Sequence, residues 1–199
     1  MKSLHFSFII CCYNSSKHII ETLNSIINQD YKNYEIVIVD DGSTDNTLDI
    51  LNNYKFTNEK IKIFSNSNHG LAFSRNFAVQ KCKYEWIVIL DHDDISLPNR
   101  LNTYLKIIKN NEDIDLIFSD AIFFNKNESF NRFDRIKSYS HIYPYELDLS
   151  KYKAYTNLIK HGCFIASSSV AFKKSTFYQT KGFNVKYKFL TDYVFFLEL

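Results

Sequence analysis

Two acidic clusters follow apolar segments of the chain, and their side chains are the ones best suited to chemistry. An Asp-Asp pair at residues 40–41 follows the β-branched run 35–39, and Asp-His-Asp-Asp at residues 91–94 follows the run 86–90. Neighbouring carboxylates repel one another, so such a cluster is either a solvated turn that caps the next helix or a site for a cation. Proteins often hold Mg²⁺ or Mn²⁺ through one or two carboxylates together with substrate phosphates. The clusters therefore favour a divalent cation that holds a diphosphate.

The elements that position these clusters alternate between strand and helix. Apolar runs predict strands at residues 6–12, 35–39, 61–64, 86–90 and 115–124, and helical spacing of apolar residues predicts helices between them. This alternation predicts an α/β fold with a mostly parallel sheet flanked by helices. The carboxyl ends of parallel strands share one edge of such a sheet, and ligands bind there. We therefore expect both acidic clusters to face one cleft.

The pattern changes after residue 125. Residues 130–155 are polar and aromatic without a clear period, which predicts a loop with room for one helix. Residues 163–172 predict a later strand, and residues 191–199 predict a helix on which the chain stops.

Composition and charge argue against several classes of function. The chain has 199 residues, 45% of them hydrophobic, and a formal net charge of +2 with both signs interspersed, so nucleic acid is not an expected partner. No apolar run approaches the length of a membrane-spanning helix. The four cysteines show neither zinc spacing nor the density of a disulfide framework, so a cytoplasmic location is expected.

Four motifs give the sequence a resemblance to a known family. They are Tyr-Asn at 13–14, Val-Asp-Asp-Gly-Ser-Thr-Asp at 39–45, Ser-Arg-Asn at 74–76 and Leu-Asp-His-Asp-Asp at 90–94. In this order and spacing, residues 6–101 and again 166–199 resemble the inverting GT-A-fold glycosyltransferases of family 2. The resemblance implies a Rossmann-like GT-A domain over residues 1–199. It also implies transfer of a sugar from a nucleotide diphosphate, expected to be UDP, in a metal-dependent single displacement.

The resemblance also implies a set of binding residues. The nucleotide-sugar ligands would be Cys12, Tyr13, Asn14, Asp40, Asp41, Arg75, Asp91 and His92, and the ligands of Mn²⁺ or Mg²⁺ would be Asp93, Asp91 and Asp94. Asp40 would accept a hydrogen bond from a base N–H, which suits uracil and rejects cytosine. Three plainer interpretations stay open at this point: Tyr13 as a packed aromatic, Arg75 as a solvated surface arginine, and residues 93–94 as a helix cap.

A catalytic base is implied near the end of the chain. Inverting transfer needs a carboxylate to take the proton of the acceptor hydroxyl. Family members usually supply it from an acidic pair that opens a late helix, and the matching residues here are Thr191 and Asp192. Asp192 is therefore the predicted base. The alternative is a carboxylate placed at a helix N-terminus by the macrodipole.

The resemblance further implies how the chain is divided and what it meets. Residues 1–124 would form the half that binds the donor, and residues 125–199 the acceptor-side half. Relatives continue beyond the position of Leu199. The chain is therefore expected to be cut short, with any peripheral membrane association in the missing part. The expected acceptor is a glycan or lipid-linked molecule of bacterial surface polysaccharide or lipopolysaccharide assembly, at the inner face of the membrane.

Three other classes of protein share part of this pattern. A nucleotide-sugar-binding domain without activity would keep the same binding motifs. A phospho-receiver domain has an acidic pair after its first strand, whereas residues 40–41 follow the second predicted strand. A dehalogenase-type phosphatase would carry its Asp-x-Asp motif near the N-terminus.

Overall fold

The computed structural model describes residues 3–111, 113–127, 132–138 and 151–199, and its main element is a six-stranded sheet. The first half consists of β1 (Phe6–Cys12), α1 (Ile19–Ile27), β2 (Tyr34–Asp40), α2 (Thr47–Thr57), β3 (Ile61–Ser65), α3 (Leu71–Lys81), β4 (Trp86–Ile89) and α4 (Arg100–Asn110). It is followed by β5 (Leu116–Ile117), β6 (Ile122–Asn127), β7 (Arg132–Ser138), α5 (Lys151–His161), β8 (Ala171–Lys173), α6 (Lys174–Phe177) and α7 (Thr191–Glu198). A 3₁₀ turn, Ser167–Ser169, precedes β8.

The sheet is mostly parallel, as predicted. Its strand order is β3-β2-β1-β4-β8-β5, and β1 pairs in parallel with β2 and β4 while β2 pairs in parallel with β3. The exception is β8, which runs antiparallel to β4 on one side and to β5 on the other. The late strand thereby extends the parallel core instead of forming a separate layer.

The two central strands have apolar residues on both faces because helices cover both faces of the sheet. Every residue of β1 and β2 is buried. Phe8 and Ile10 belong to a cluster with Leu23 of α1 and Leu101 of α4. Residues on the opposite face pack with the side chains of α3 and α7. This double cover explains why the predicted strands are continuous apolar runs rather than alternating ones.

The fifth predicted strand is wrong in extent. Residues 115–124 contain only the two-residue β5, and a second strand, β6, begins at Ile122 and belongs to a different sheet. The interruption falls at Ser119 and Asp120, where the Asp120 carboxylate accepts the amide of Ala121. A local side-chain bond of this type competes with strand pairing.

Two more predictions in the second half need correction. Of the expected loop at residues 130–155, residues 130–131 and 139–150 lie outside the described residues, and residues 151–155 are the start of α5, for which the prediction left room. Residues 132–138 form β7, which pairs with β6 in a two-stranded antiparallel sheet. Its sequence, RFDRIKS, lacks a regular apolar face, so hydrophobic pattern gave no signal of the hairpin. The strand expected at residues 163–172 is reduced to β8, because the serines before it form the 3₁₀ turn and Ser169 Oγ bonds the Ala166 carbonyl at 2.7 Å.

Among the helices that the structure describes, none is long and apolar enough to cross a membrane.

Candidate active site

The carboxyl ends of β1, β2 and β4 meet at one edge of the sheet. Cys12 is in register with Asp40 at the ends of β1 and β2, and the amide of Leu90, just after β4, donates to the Ile9 carbonyl at 3.2 Å. The two acidic clusters therefore lie at the same edge, 50 residues apart in sequence but on strands that flank β1 on either side.

Asp40 is 1% exposed and its two oxygens are bonded unequally. Its Oδ1 accepts the hydroxyl of Ser43 and lies 3.9 Å from the sulfur of Cys12. Burial raises the pKa of the Cys12 thiol, so this group is a protonated donor at neutral pH. Oδ2 accepts a longer bond, 3.3 Å, from the Ser43 amide. The second oxygen is therefore the one better able to accept a base N–H.

Asp41 orients the segment that leads into α3. Its Oδ1 accepts the amide of His69 at 2.9 Å and its Oδ2 accepts the amide of Gly70 at 2.7 Å. Its own amide donates to the Cys12 carbonyl at 2.8 Å. Because both oxygens already accept backbone amides, the geometry favours an indirect role for Asp41 over direct contact with a nucleotide.

Asn14 connects the loop after β1 to the loop after β2. It has a left-handed backbone (φ 51°), its amide donates to Ser43 Oγ at 2.9 Å, and its side-chain oxygen accepts the Thr44 amide at 2.8 Å. The neighbouring Tyr13 is 44% exposed, so it is not a packed strand-end aromatic. Its ring can therefore stack on a planar ligand.

Arg75 lies in the middle of this edge and is 2% exposed, so the surface-arginine interpretation is wrong. Its Nη2 donates to Asp91 Oδ1 at 2.7 Å and to Ser167 Oγ at 2.9 Å. The guanidinium carbon lies 5.4 Å from the centre of the Phe183 ring. Burial acts to lower the pKa of Arg75, but the charge and hydrogen bond of Asp91, together with the smaller effects of Cys11 and Asp192, outweigh it and leave the pKa raised. Arg75 is therefore a permanent, buried positive charge at this edge of the sheet.

The rest of the second acidic cluster is held by α1 and by the serine turn. The His92 carbonyl accepts Thr22 Oγ1 at 2.9 Å, and the Asp94 amide donates to the Asp91 carbonyl at 3.2 Å. Burial, assisted by the charges of its acidic neighbours, raises the pKa of Asp94, and a hydrogen bond from Ser168 opposes that rise.

The helix-cap interpretation of residues 93–94 is wrong. The following helix, α4, begins at Arg100, and its N-cap position is occupied by Asn99. The acidic cluster therefore ends several residues before the first turn of that helix.

The donor set at this edge fits a divalent cation that receives most of its ligands from elsewhere. Asp93 is exposed, Asp94 is partly buried, and one oxygen of Asp91 is already engaged by Arg75. Within the described part of the chain, no three His, Cys, Asp or Glu side chains converge into a complete metal site. Mg²⁺ and Mn²⁺ are commonly coordinated by one or two carboxylates together with substrate phosphates and water, and this edge offers such carboxylates.

Asp192 lies in the first turn of α7 and is partly buried. Its Oδ1 accepts the amide of Tyr193 at 2.9 Å. The ring of Phe195, also in α7, lies 4.4 Å centre to centre from the ring of Phe183, whose centre is 5.4 Å from the guanidinium carbon of Arg75. The charge of Asp192 contributes to the raised pKa of Arg75. The structure thus brings Asp192 to the same side of the sheet as the Arg75–Asp91 pair.

A cleft of about 370 Å³ opens beside this edge. Its walls are the start of α3, from His69 to Ala72, and the segment of residues 185–189 that leads into α7. The segment carries exposed apolar side chains, including Phe189 at 75%.

Three site residues have no role in the sequence-based prediction. Ser167 and Ser168 bond Arg75 and the acidic cluster from the far end of the chain. Asn76 exchanges two 2.8 Å hydrogen bonds with the backbone of Phe183. The Ser-Arg-Asn motif was a signal for Asn76, whereas nothing local marks the serines.

Comparison with known proteins gives consistent results. A family model described as "Glycosyl transferase family 2" matches residues 7–176. An uncharacterized glycosyltransferase of Rickettsia typhi is 30% identical over 191 residues, covering 92% of the chain and 58% of that relative. The solved structure of S. aureus TarS 1–349 in complex with UDP-GlcNAc has a TM-score of 0.73 at 24% identity, covering 98% of this chain and 53% of the TarS 1–349 chain.

A second solved structure has the same fold. The mannosyltransferase PcManGT from Pyrobaculum calidifontis, in complex with GDP-Man and Mn²⁺, has a TM-score of 0.67 at 21% identity, covering 92% of the chain and 49% of that protein. The likeness confirms the predicted Rossmann-like α/β fold of the GT-A type. The chain spans about half the length of the proteins it matches.

Proposed function

The chain belongs to glycosyl transferase family 2, and from that membership we propose that it binds a nucleotide-sugar and transfers the sugar to a hydroxyl group with inversion. The observation that carries the proposal is the buried Arg75–Asp91 pair, which lies at the carboxyl edge of the sheet beside an exposed Asp93. A permanent cation next to an exposed carboxylate suits a diphosphate bridged by a metal ion.

The donor is proposed to be UDP-linked. Asp40 Oδ2 is weakly bonded and can accept the N3–H of uracil, while Tyr13 is exposed enough to stack on the base. TarS, which shares the fold, was solved with UDP-GlcNAc. PcManGT was solved with GDP-Man, so a guanine nucleotide is the alternative that the donor screen must include.

The proposed cation is Mn²⁺ or Mg²⁺, held by Asp93 with Asp91 and Asp94 as neighbours. When bound, such an ion neutralises charge on the departing diphosphate as a Lewis acid. The occurrence of Mn²⁺ in the PcManGT complex supports this choice. Arg75 supplies a fixed positive charge that does not depend on the ion.

The proposed reaction is a single displacement at the anomeric carbon. The acceptor oxygen forms its bond to that carbon while the bond to the diphosphate breaks, and the hydroxyl proton passes to a carboxylate. We assign this carboxylate to Asp192, because it opens α7 close to Arg75 and is partly exposed.

The acceptor and the location follow from the resemblance to the family. A glycan or lipid-linked acceptor, met at the cytoplasmic face of a membrane, is the proposed partner, with residues 1–124 on the donor side and 125–199 on the acceptor side. The cleft between α3 and residues 185–189 offers room next to the proposed base.

Donor turnover is the direct test. The chain is incubated with UDP-, GDP- and dTDP-sugars in Mn²⁺, with and without EDTA, and release of the nucleoside diphosphate is followed by chromatography. We expect release from a UDP-sugar that depends on the metal. Tight, metal-dependent binding of UDP in calorimetry without any turnover would instead favour a binding domain without activity. Failure to bind any nucleotide would overturn both.

A further inference from the structure

The 3₁₀ turn Ser167–Ser169 is a rigid part of the fold that does not depend on the acidic cluster. The Ser169 carbonyl accepts the hydroxyl of Tyr104. The next carbonyl, that of Val170, accepts the Ile89 amide at 3.0 Å and Nη2 of Arg100 at 3.3 Å. The turn is therefore fixed to β4 and α4 through its backbone, and these bonds do not involve the hydroxyl groups of Ser167 and Ser168.

The Ser168 hydroxyl holds the start of the acidic cluster. Its Oγ accepts the amide of Asp91 at 2.9 Å. The Asp94 amide in turn donates to the Asp91 carbonyl at 3.2 Å, which closes the turn of residues 91–94. Asp93 lies within this turn and is exposed. The backbone conformation that orients its carboxylate is therefore anchored by Ser168 through the amide of Asp91.

We infer that Ser168 is a positioning residue for the site of the divalent cation. Its side chain fixes the loop of residues 91–94 so that Asp93 faces the diphosphate. The inference rests on the proposed function. It adds a residue 77 positions along the chain from Asp91 that is not itself a ligand of the nucleotide or the cation, but holds the backbone of the loop that carries the proposed metal ligands. Groups that orient a metal ligand typically change metal affinity by 10- to 100-fold when they are lost.

Calorimetric titration of UDP at a series of Mn²⁺ concentrations tests the inference in three variants. Ser168→Ala removes the bridging hydroxyl, and we expect the apparent affinity for Mn²⁺ to fall about 10-fold. Ser168→Thr keeps a hydroxyl and should retain the parental affinity for Mn²⁺. Ser169→Ala is the matched control, because Ser169 Oγ bonds only within the turn, to the Ala166 carbonyl.

A second measurement needs no ligand. In the metal-free protein, hydrogen exchange of the Asp91 amide should be faster in Ser168→Ala than in the parent, and should be unchanged in Ser169→Ala. If Ser168→Ala had the parental affinity for Mn²⁺ and the parental exchange rate of the Asp91 amide, the inference about Ser168 would be overturned, but the proposed function would not. An equal fall in Mn²⁺ affinity in Ser168→Ala and Ser169→Ala would also overturn the inference, because it would show that both serines only stabilise the turn. A parent chain that binds no UDP with Mn²⁺ would overturn the proposed function, and with it the link from Ser168 to a cation.

Discussion

At the scale of single residues, the two carboxylates Asp91 and Asp93 are close in sequence but differ in what surrounds them. Asp91 neutralises a guanidinium whose side chain is 3% exposed, whereas Asp93 is exposed. Removing one partner of a buried pair leaves an uncompensated charge, which costs about 3–5 kcal/mol when both groups are fully buried. The Asp91 side chain is 31% exposed, so solvent screening should bring the cost to the lower limit of that range or just below it.

The pair yields a prediction about stability and binding. We expect Asp91→Ala to lower the free energy of unfolding by about 2–3 kcal/mol, and Asp93→Ala to change it by less than about 0.5 kcal/mol. Asp93→Ala should nevertheless abolish the metal dependence of UDP binding. Urea unfolding and calorimetry with Mn²⁺ or EDTA measure the two effects. A large loss of stability in the metal-free Asp93→Ala variant would mean that Asp93 serves the fold instead.

Asp192 is the residue that separates transfer from binding in the proposed mechanism. Asp192→Asn keeps the shape of the side chain and removes the proton acceptor, so the transfer rate should fall by about 10²-fold or more. Affinity for UDP and Mn²⁺ should persist, because those contacts lie at the ends of β1, β2 and β4. Initial rates and calorimetry on the same preparation measure both.

The control for this variant lies on the same helix. Glu198, near the other end of α7, accepts the amide of Lys181 at 3.0 Å, and Glu198→Gln retains an acceptor for that bond. It should keep the parental rate. Transfer at the parental rate by Asp192→Asn would show that another carboxylate is the base.

At the scale of elements, the approach of α3 to the segment before α7 depends on a glycine. Gly182 has φ +69°, and a Cβ built there would lie 2.7 Å from Asn76 Oδ1 and 2.9 Å from the ring of Phe177. Asn76 in turn bonds the amide and the carbonyl of Phe183. The contact matters for the site because Phe183 packs beside Arg75.

We therefore predict that Gly182→Ala is more harmful than the same change at Gly162. Gly162 also has a left-handed backbone, φ +76°, but a Cβ there would meet nothing within 4 Å. Its substitution should cost only the conformational term, about 1–2 kcal/mol, while Gly182→Ala should cost more because the clash adds to it. Urea unfolding of both variants measures the difference, and equal costs would contradict the tight packing.

At the scale of the whole molecule, binding and folding are linked. A ligand that binds only the folded chain stabilises it by about 2.7 kcal/mol at one hundred times its dissociation constant. For a domain of this size each kcal/mol raises the melting temperature by about 2–4 °C. UDP with Mn²⁺ should therefore raise it by about 5–10 °C.

Thermal melting with matched nucleotides makes this a test of the site as well. CDP at the same concentration should give a smaller rise, because its base offers no N3–H to Asp40 and the proposed hydrogen bond between base and carboxylate, worth about 1–3 kcal/mol, is lost. UDP in EDTA should also give a smaller rise. Equal shifts for UDP and CDP would show that Asp40 does not read the base.

The sequence by itself determined the first four strand–helix units and the edge of the sheet at which the acidic residues lie. Both follow from local information: apolar runs covered on two faces define β1, β2 and β4, the shorter Ile-Lys-Ile-Phe run defines β3, and polar residues mark where each strand ends. The parallel arrangement of those strands then brings residues 40–41 and 91–94 together without further detail.

Only the tertiary structure decided what holds those residues in place. The bonds from Arg75 to Ser167 and from Asp91 to Ser168 join positions 92 and 77 residues apart, and the insertion of β8 beside β4 brings the serines there. A serine has no hydrophobic period, and β8 has three residues, so neither gives a local signal. Whether a charged side chain is buried or solvated depends on which distant segment packs on it. For that reason the burial of Arg75 and the exposure of Asp93 could be read only from the folded chain.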